Sequence, residues 1–296
     1  MTDQIPDHHQ PVTNRCRQVT SDLDAYLRRS LNPERNHETR RHLDACPSCW
    51  TTWHRYRWDA ARPSPLFGDL ATFLGPAFID YYDSSRRLAA EWDGAAATTP
   101  EQIRRFYADT PSYLYNQVIW HASGNRPPYL RDALPLLRRE RSRTVLDYGC
   151  GIGADTLALR ATGYTVIACD LDSPPTRFLR WRQARAGSHE PVHQPDALPL
   201  APTPDTLWII DTLDHLPDLD QLTPVLRQVR LVISEDLAAT RTHGSQGFHL
   251  RRPAGEINAH LADQGLHPIL TIPQSGSIDA WAAPRERPNR VGASTT

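Results

Sequence analysis

Short apolar runs alternate with helix-length segments in the C-terminal half of the chain. Each run is bounded by Gly or Asp, and the segments between runs are long enough to form helices. This alternation is typical of a doubly wound sheet with mostly parallel strands. The predicted strands are 144–147, 165–170, 206–211, 231–234, 268–272 and 278–282.

The N-terminal half has helical patterns instead. Leu23, Tyr26 and Leu27 follow the i, i+3, i+4 spacing of one helical face, and Asn32-Pro33 interrupts that pattern. Two prolines within 62–65 disfavour a helix and predict a linker. We therefore predict a disordered tail over 1–14, a helical domain over 15–62, an aromatic helical connector or lid over 66–142, a sheet domain over 143–283 and a disordered tail over 284–296.

Composition narrows the functional classes. All 33 basic residues are Arg, which excludes lysine Schiff bases and a P-loop lysine. A net charge of −1 provides no global field that would gather nucleic acid or anionic lipid. The chain lacks a long apolar stretch and a signal-peptide pattern, so we expect a cytoplasmic protein that does not enter a membrane. Five cysteines argue against a disulfide framework and favour metal or thiol chemistry.

A glycine-rich turn follows the first predicted strand. Residues 145–153 read V-L-D-Y-G-C-G-I-G, and a helix is expected to begin at about Ala154. Glycine allows the backbone to approach a ligand closely at the carboxyl end of a strand, where open α/β sheets bind ligands. Asp147 precedes the first glycine and would repel a pyrophosphate, which disfavours a dinucleotide. Cys150 is interpreted as a small residue of the turn rather than as a nucleophile.

The spacing Asp-x-Gly-x-Gly-x-Gly resembles motif I of the class I S-adenosylmethionine-dependent methyltransferases. Further features in the same order extend the resemblance over 143–283: an acid that ends the predicted strand 165–170, an Asp-Ala pair in a later loop, and Asp211, which ends the predicted strand 206–211. The resemblance implies a Rossmann-like, doubly wound, mostly parallel α/β sheet of the class I methyltransferase type. It also implies that S-adenosyl-L-methionine is bound by Asp147, Gly149, Cys150, Gly151, Asp170, Leu171, Asp196, Ala197 and Asp211.

Four of these residues have specific roles in the resemblance. Asp170 would accept hydrogen bonds from both ribose hydroxyls, since a carboxylate is a natural acceptor for a vicinal diol. Leu171 would cover the adenine, and Asp196 with the Ala197 backbone N–H would hold the adenine amino group. A nicotinamide dehydrogenase remains an alternative, because Gly149-x-Gly151-x-x-Ala154 can be aligned with its fingerprint.

A second motif lies near the N-terminus. His42, Cys46 and Cys49 have His-x3-Cys-x2-Cys spacing, which places the first two ligands one helical turn apart. Cys16, 26 residues upstream of His42, could supply the fourth ligand of a tetrahedral zinc site. A redox Cys-x2-Cys pair and buried, unliganded cysteines are the alternatives.

With the Leu23–Leu27 segment, this arrangement resembles the zinc-binding anti-sigma factor domain, whose ligands fall at these four positions. The resemblance implies a structural zinc that drives folding of a small helical domain. A closed site of four protein ligands leaves no position for a reacting water, so no catalysis is assigned to it. The family also implies a protein partner or thiol sensing, and a sigma factor partner is a secondary hypothesis.

The residues that contact a methyl acceptor are expected before the glycine turn and in the loops after the predicted strands 206–211 and 231–234. His215 and His249 are the candidate general bases, because an imidazole can deprotonate a hydroxyl or amine. Other polar and aromatic residues in these regions are Tyr107, Tyr113, Tyr115, Trp120, His121, Asp214, Glu235 and His243.

The aromatic residues predict either a lid over the acceptor or a helix face packed on the core. A basic stripe with interleaved aromatics is lacking near the site, so a nucleic-acid acceptor is not favoured. We predict methyl transfer to an O, N or C atom of a small molecule, such as a secondary metabolite. The main alternative is a zinc-binding, anti-sigma-like regulator with a methyltransferase-like sensor domain.

Overall fold

A computed structural model describes residues 13–199, 201–235, 248–250, 252–272 and 278–284. The chain divides into two compact units. The first consists of residues 1–88 and 111–127, and the second of residues 89–110 and 128–296. Within the described ranges, no helix is both long and apolar enough to cross a bilayer.

The described helices follow one another along the chain as α1 (Asn14–Ser21), α2 (Leu23–Leu27), α3 (Pro33–Ala45), α4 (Pro47–Ala61), α5 (Pro65–Leu74), α6 (Ser84–Ala95), α7 (Pro100–Asp109), α8 (Pro111–Ala122), α9 (Tyr129–Arg139), α10 (Ala154–Ala161), α11 (Pro174–Arg185), α12 (Thr223–Leu226) and α13 (Ala254–Asp263). Several begin with a capping side chain followed by proline, as at Asn32-Pro33, Ser64-Pro65 and Thr99-Pro100. Such a cap accepts an orphan N–H, and proline at the next position lacks the N–H that would be unsatisfied. The prolines at 63 and 65 therefore separate α4 from α5, and both helices belong to the first unit.

The N-terminal helices of the first unit share a small apolar core. Leu23 and Leu27 are buried in it, which confirms the predicted helical face. Tyr26 packs edge-on against Trp53, with ring centroids 5.0 Å apart. The other buried members of the cluster are Val19, Leu43, Cys46 and Cys49. Of the predicted N-terminal tail, Thr13 caps α1 and Asn14 begins it, while residues 1–12 lie outside the described residues.

The second unit contains a seven-stranded sheet in the order β3-β2-β1-β4-β5-β7-β6. Neighbouring strands among β1 to β5 pair in parallel, and β7 is antiparallel to both β5 and β6. The mostly parallel, doubly wound sheet is therefore confirmed. The strands are β1 (Thr144–Tyr148), β2 (Thr165–Cys169), β3 (Val192–His193), β4 (Thr206–Ile209), β5 (Leu231–Glu235), β6 (His267–Ile272) and β7 (Ile278–Ala282).

All six predicted strands are present, with ends shifted by at most two residues. The sequence prediction missed β3, because its two residues pair with Ala168 and Cys169 but are too few to show a periodic pattern. The central strands are buried almost throughout, as expected when helices cover both faces of a parallel sheet. The strand order reverses between β1 and β4, and open α/β sheets bind ligands in the crevice at such a point.

Two glycines after β1 have no room for a side chain. Gly149 has φ +80°, and a Cβ there would lie 2.1 Å from Oγ1 of Thr212. Gly153 has φ +72°, and a Cβ there would lie 2.2 Å from a methyl carbon of Leu179. At both positions, the left-handed backbone and the close packing each favour glycine over any other residue.

Alanine substitutions should separate these two effects. We expect Gly163→Ala to lower the free energy of unfolding by roughly 1 kcal/mol, because its φ of +93° is unfavourable for alanine. No other cost is expected there, since no atom lies within 4 Å of the added Cβ. Gly153→Ala should cost roughly 1–3 kcal/mol more, because Leu179 must also move. Urea unfolding of the two variants measures both values. Equal losses would contradict the close packing on Leu179.

Candidate functional site

The turn after β1 is tied to the end of β2 by backbone hydrogen bonds. The N–H groups of Gly149 and Cys150 both donate to the carbonyl of Cys169, at 2.8 and 3.1 Å. The carboxylate of Asp170 accepts from the N–H of Gly151 at 2.7 Å and from that of Leu171 at 2.6 Å. The structure therefore brings the glycine turn and the predicted ribose acid together at one end of the sheet.

The carboxyl group of Asp170 lies in an unusual electrostatic environment. Burial raises its pKa from 3.8 to about 6, and the two backbone N–H donors partly oppose that rise. The group is therefore mostly ionised at neutral pH. A carboxylate has about four lone-pair positions, so two donors leave capacity for the hydroxyls of a bound diol.

Asp147 and Cys150 are buried beside this turn. The Thr156 hydroxyl of α10 donates to the Asp147 carboxylate, which joins β1 to the helix after the turn. Burial raises the pKa of the Cys150 thiol well above its usual value, and this disfavours a reactive thiolate. Both observations favour a role in holding the turn.

The other predicted cofactor residues lie after β2 and β3. Leu171 is half-buried and directly follows Asp170. Asp196 and Ala197 are exposed in a short 3-10 turn after β3. The Ala197 N–H donates to the carbonyl of Gln194 at 3.0 Å, so it is already bonded within its own turn.

Two acids meet at the ends of β4 and β5. Asp211 has φ +53°, a left-handed conformation that is uncommon for a residue other than glycine. Its N–H donates to Oε2 of Glu235 at 2.7 Å. Glu235 is only 1% exposed, and burial together with the charge of Asp211 raises its pKa well above the usual range. Strained and buried acids of this kind cluster at functional sites.

The two predicted bases lie side by side beyond β4. The ring centroids of His215 and His249 are 4.7 Å apart. Nδ1 of His249 lies 3.2 Å from Oδ2 of Asp214, within ion-pair distance. This contact favours the tautomer with hydrogen on Nδ1 and a lone pair on Nε2.

Tyr107 of α7 orients the other histidine. Its hydroxyl lies 2.8 Å from Nδ1 of His215 and donates to the carbonyl of Phe248. Because the hydroxyl hydrogen points at that carbonyl, the Tyr107 oxygen accepts from Nδ1–H of His215. Burial is the main cause that lowers the pKa of His215 to about 3, so this imidazole is neutral at physiological pH.

The segment that carries His249 is held onto the turn after β4. The N–H groups of Leu250 and Arg252 donate to the carbonyl and carboxylate of Asp214, at 2.9 and 3.2 Å. The Arg252 guanidinium donates to the carbonyls of Leu216 and Pro217, at 2.9 and 3.0 Å. Sequence reasoning missed Arg252, because it is one of 33 arginines and no local pattern marks it.

Four of the remaining acceptor-side candidates belong to the first unit. Tyr115 is buried in the first unit, where its hydroxyl accepts from the N–H of Ile79 at 3.1 Å and its ring stacks on Tyr81. This contact corresponds to the core-packing alternative for Tyr115. Tyr113, Trp120 and His121 also lie on α8. His243 is outside the described residues.

The four predicted metal ligands converge in the first unit. One ligand atom from each of Cys16, His42, Cys46 and Cys49 lies within 4.8 Å of the others, and Nε2 of His42 is 3.3 Å from Sγ of Cys49. A zinc ion with bond lengths of about 2.0–2.3 Å would hold such atoms about 3.5–3.8 Å apart. The donor set and its spacing therefore fit zinc. Within the described part of the chain, this is the one group of His, Cys, Asp or Glu arranged to bind a metal ion.

The local sequence explains how these ligands meet. α3 ends as the N–H of Cys46 donates to the carbonyl of His42, at 2.9 Å, and Pro47 starts α4 in a new direction. Cys49 then lies in the first turn of α4, while Cys16 lies in the first turn of α1. The Thr13 hydroxyl also donates to Sγ of Cys16 at 3.2 Å. Four protein ligands close the coordination sphere, which is typical of structural zinc.

Comparisons with known proteins match two separate parts of the chain. A zinc-finger family model matches residues 16–49, whose ends are the first and last of the four ligands. None of the curated proteins matches the chain. Similar solved structures include magnesium protoporphyrin IX methyltransferase from Synechocystis PCC 6803 with bound SAM (15% identity, 70% of this chain, 99% of that chain, TM-score 0.41) and the pyocyanin biosynthetic protein PhzM (16% identity, 91% of this chain, 95% of that chain, TM-score 0.47).

A further similar structure is the N-methyltransferase NodS from Bradyrhizobium japonicum WM9 (16% identity, 53% of this chain, 97% of that chain, TM-score 0.39). These structural similarities are low, and the assignment of the family rests on sequence. The family model described as a methyltransferase domain matches residues 122–287, more than half of the 296 residues. The chain therefore belongs to the methyltransferase domain family.

Proposed function

We propose that this protein is an S-adenosylmethionine-dependent methyltransferase that acts on a hydroxyl group of a small-molecule acceptor. One observation carries the proposal: the carboxylate of Asp170 lies at the end of β2, bonded to the glycine turn of β1. That arrangement provides a charged acceptor for a ribose diol beside a backbone that a ligand can approach closely. Membership of the methyltransferase domain family supports the same conclusion.

The proposed cofactor contacts follow from this arrangement. Asp170 accepts from the ribose hydroxyls, and Gly149 and Gly151 line the approach to the turn. Leu171 covers the adenine, and the carboxylate of Asp196 accepts from the adenine amino group. The N–H of Ala197 is bonded to the Gln194 carbonyl, so we assign it no adenine contact. Asp211 would contact the cofactor from the turn after β4, while Asp147 and Cys150 hold the glycine turn in shape.

The Asp214–His249 pair supports a hydroxyl acceptor. Bound S-adenosylmethionine supplies an activated methyl group on a sulfonium. Nε2 of His249 takes the proton of the acceptor hydroxyl, and Asp214 stabilises the imidazolium that forms, 3.2 Å away. His215 remains neutral and supports the ring of His249. Tyr107 fixes the tautomer of His215 through the 2.8 Å contact.

We assign a structural role to the metal centre formed by Cys16, His42, Cys46 and Cys49. Three of its ligands lie on α1, α3 and α4, and Cys46 lies between α3 and α4; the apolar core that these helices share is small. Metal binding therefore contributes directly to the folding of these helices.

The first prediction concerns the pH dependence of cofactor binding. With a pKa of about 6, Asp170 is about 90% ionised at pH 7 and about 10% ionised at pH 5. A diol donates to the ionised carboxylate. We therefore expect the Kd for S-adenosylhomocysteine, measured by calorimetry, to rise about tenfold as the pH falls from about 7 to about 5. Asp170→Asn should weaken binding by about 1–3 kcal/mol at pH 7 and flatten the profile.

Asp172→Asn is the matched control. Asp172 is exposed, two residues further along, and pairs with Arg180 at 2.6 Å. Its replacement should leave both affinity and pH profile unchanged. A well-folded, zinc-loaded protein that fails to bind S-adenosylhomocysteine would contradict the proposal and favour a regulatory protein.

A second prediction concerns the base. His249→Ala should lower kcat about 10²–10⁴-fold toward hydroxyl acceptors found by screening, since a positioned base contributes that much. Affinity for S-adenosylhomocysteine should not change. His260→Ala is the control, because His260 also lies near an acid, 3.9 Å from Asp220, but on α13. Full turnover by the His249 variant would refute the role of the dyad.

A third prediction concerns the metal. The purified protein should contain one zinc per chain, and Cys49→Ser should lower that content and the helical circular dichroism signal. Cys169→Ala, a buried cysteine of β2, should retain the zinc. Chelation should lower the unfolding temperature of the wild-type protein. A protein that keeps its helical signal after complete zinc removal would show that the metal does not stabilise the fold.

A further inference from the structure

Helix α4 contains a buried guanidinium without an ion partner. Arg57 is only 8% exposed, and its Nε has no hydrogen-bond acceptor. Within the described ranges, no carboxylate or carbonyl forms a hydrogen bond or ion pair with its other nitrogens. Burial lowers its pKa only to about 10, so the side chain is charged at neutral pH.

Other arginines of the first unit have acidic partners. Arg35 pairs with Asp22 and Glu38, and Arg87 pairs with Asp83 at 2.7 Å. Arg57 instead lies near the ring of Trp53, with its Cζ 5.7 Å from the ring centroid. A cation–π contact stabilises the charge but leaves the Nε–H donor of the guanidinium without an acceptor.

His54 is a second polar group beside Arg57 on α4, and Arg86 near it is already paired with Asp83 at 3.1 Å. His54 lies nearly one turn earlier on α4 and is 5% exposed. Burial lowers the pKa of His54 to about 2, and the charges of Arg57 and Arg86 act in the same direction. His54 and Arg86 both contact Trp50. The ring centroids of His54 and Trp50 are 3.6 Å apart, and Cζ of Arg86 lies 5.5 Å from the Trp50 ring centroid.

A buried charge is costly unless it is paired, and a guanidinium fork matches the two oxygens of a carboxylate or phosphate. We propose that Arg57 is the centre of an oxyanion-binding site in the first unit, formed with His54. The ligand class is a carboxylate or phosphate group. Arg57 supplies the paired donors, and neutral His54 supplies one N–H.

Thermal unfolding of the full-length, zinc-loaded chain tests this site. Unfolding is followed in sodium chloride, sodium acetate and sodium phosphate at one pH and one ionic strength. At roughly ten times its dissociation constant, a bound anion should raise Tm by about 2–4 °C over chloride. Comparison of the acetate and phosphate arms identifies which oxyanion the site prefers.

Arg57→Met should abolish the anion-dependent rise, and Arg57→Lys should reduce it, because lysine keeps the charge but loses the fork. Arg62→Met is the matched control, since Arg62 follows the same helix and its side chain is 66% exposed. It should retain the full rise. Equal rises in wild type, Arg57→Met and Arg62→Met, or no rise in the wild type, would overturn the proposal. Zinc content and circular dichroism establish that each variant is folded, and Arg57→Lys decides the question if Arg57→Met is not.

Discussion

The left-handed backbone after β1 determines where the candidate cofactor site lies. Gly149, Gly151 and Gly153 have φ values of +80°, +51° and +72°, which fold the chain back over the end of β2. That fold aims the N–H groups of Gly149 and Cys150 at the carbonyl of Cys169, and the N–H of Gly151 at Asp170. Glycine is the residue that adopts this conformation without steric cost. The position of the carboxylate therefore depends on three residues that have no side chain.

Several ionisable groups at the same end of the sheet have pKa values that differ from their usual ones. Burial raises the pKa values of Asp170 and Glu235 and lowers that of His215. For Asp170, a folded-state pKa above the unfolded value means that stability decreases as pH rises from about 4 to 6. Cofactor affinity should increase over the same range. The ionised carboxylate of Asp170 thus lowers the stability of the fold at the pH values at which we expect it to bind the cofactor best. Such a trade-off is common for functional groups.

The sequence predicted the features that depend on local patterns. Bounded apolar runs located six strands, and ligand spacing located the four residues of the metal centre. The contacts it could not predict join distant residues: Tyr107 and His215 are 108 positions apart, and Arg252 is 36 from Leu216. Arg57 was missed for a different reason. Its lack of an acidic partner appears only when the whole unit is folded, and nothing in the helix pattern of α4 distinguishes it.

Arg252 makes the histidine pair a single structural module. The backbone and side chain of this arginine fasten the residues beside His249 onto the turn that carries Asp214 and His215. A change in either loop alone would leave carbonyl acceptors or guanidinium donors unmatched. The turn after β4 and the residues around His249 are thus held as one unit, whereas separate contacts hold the glycine turn and Asp170.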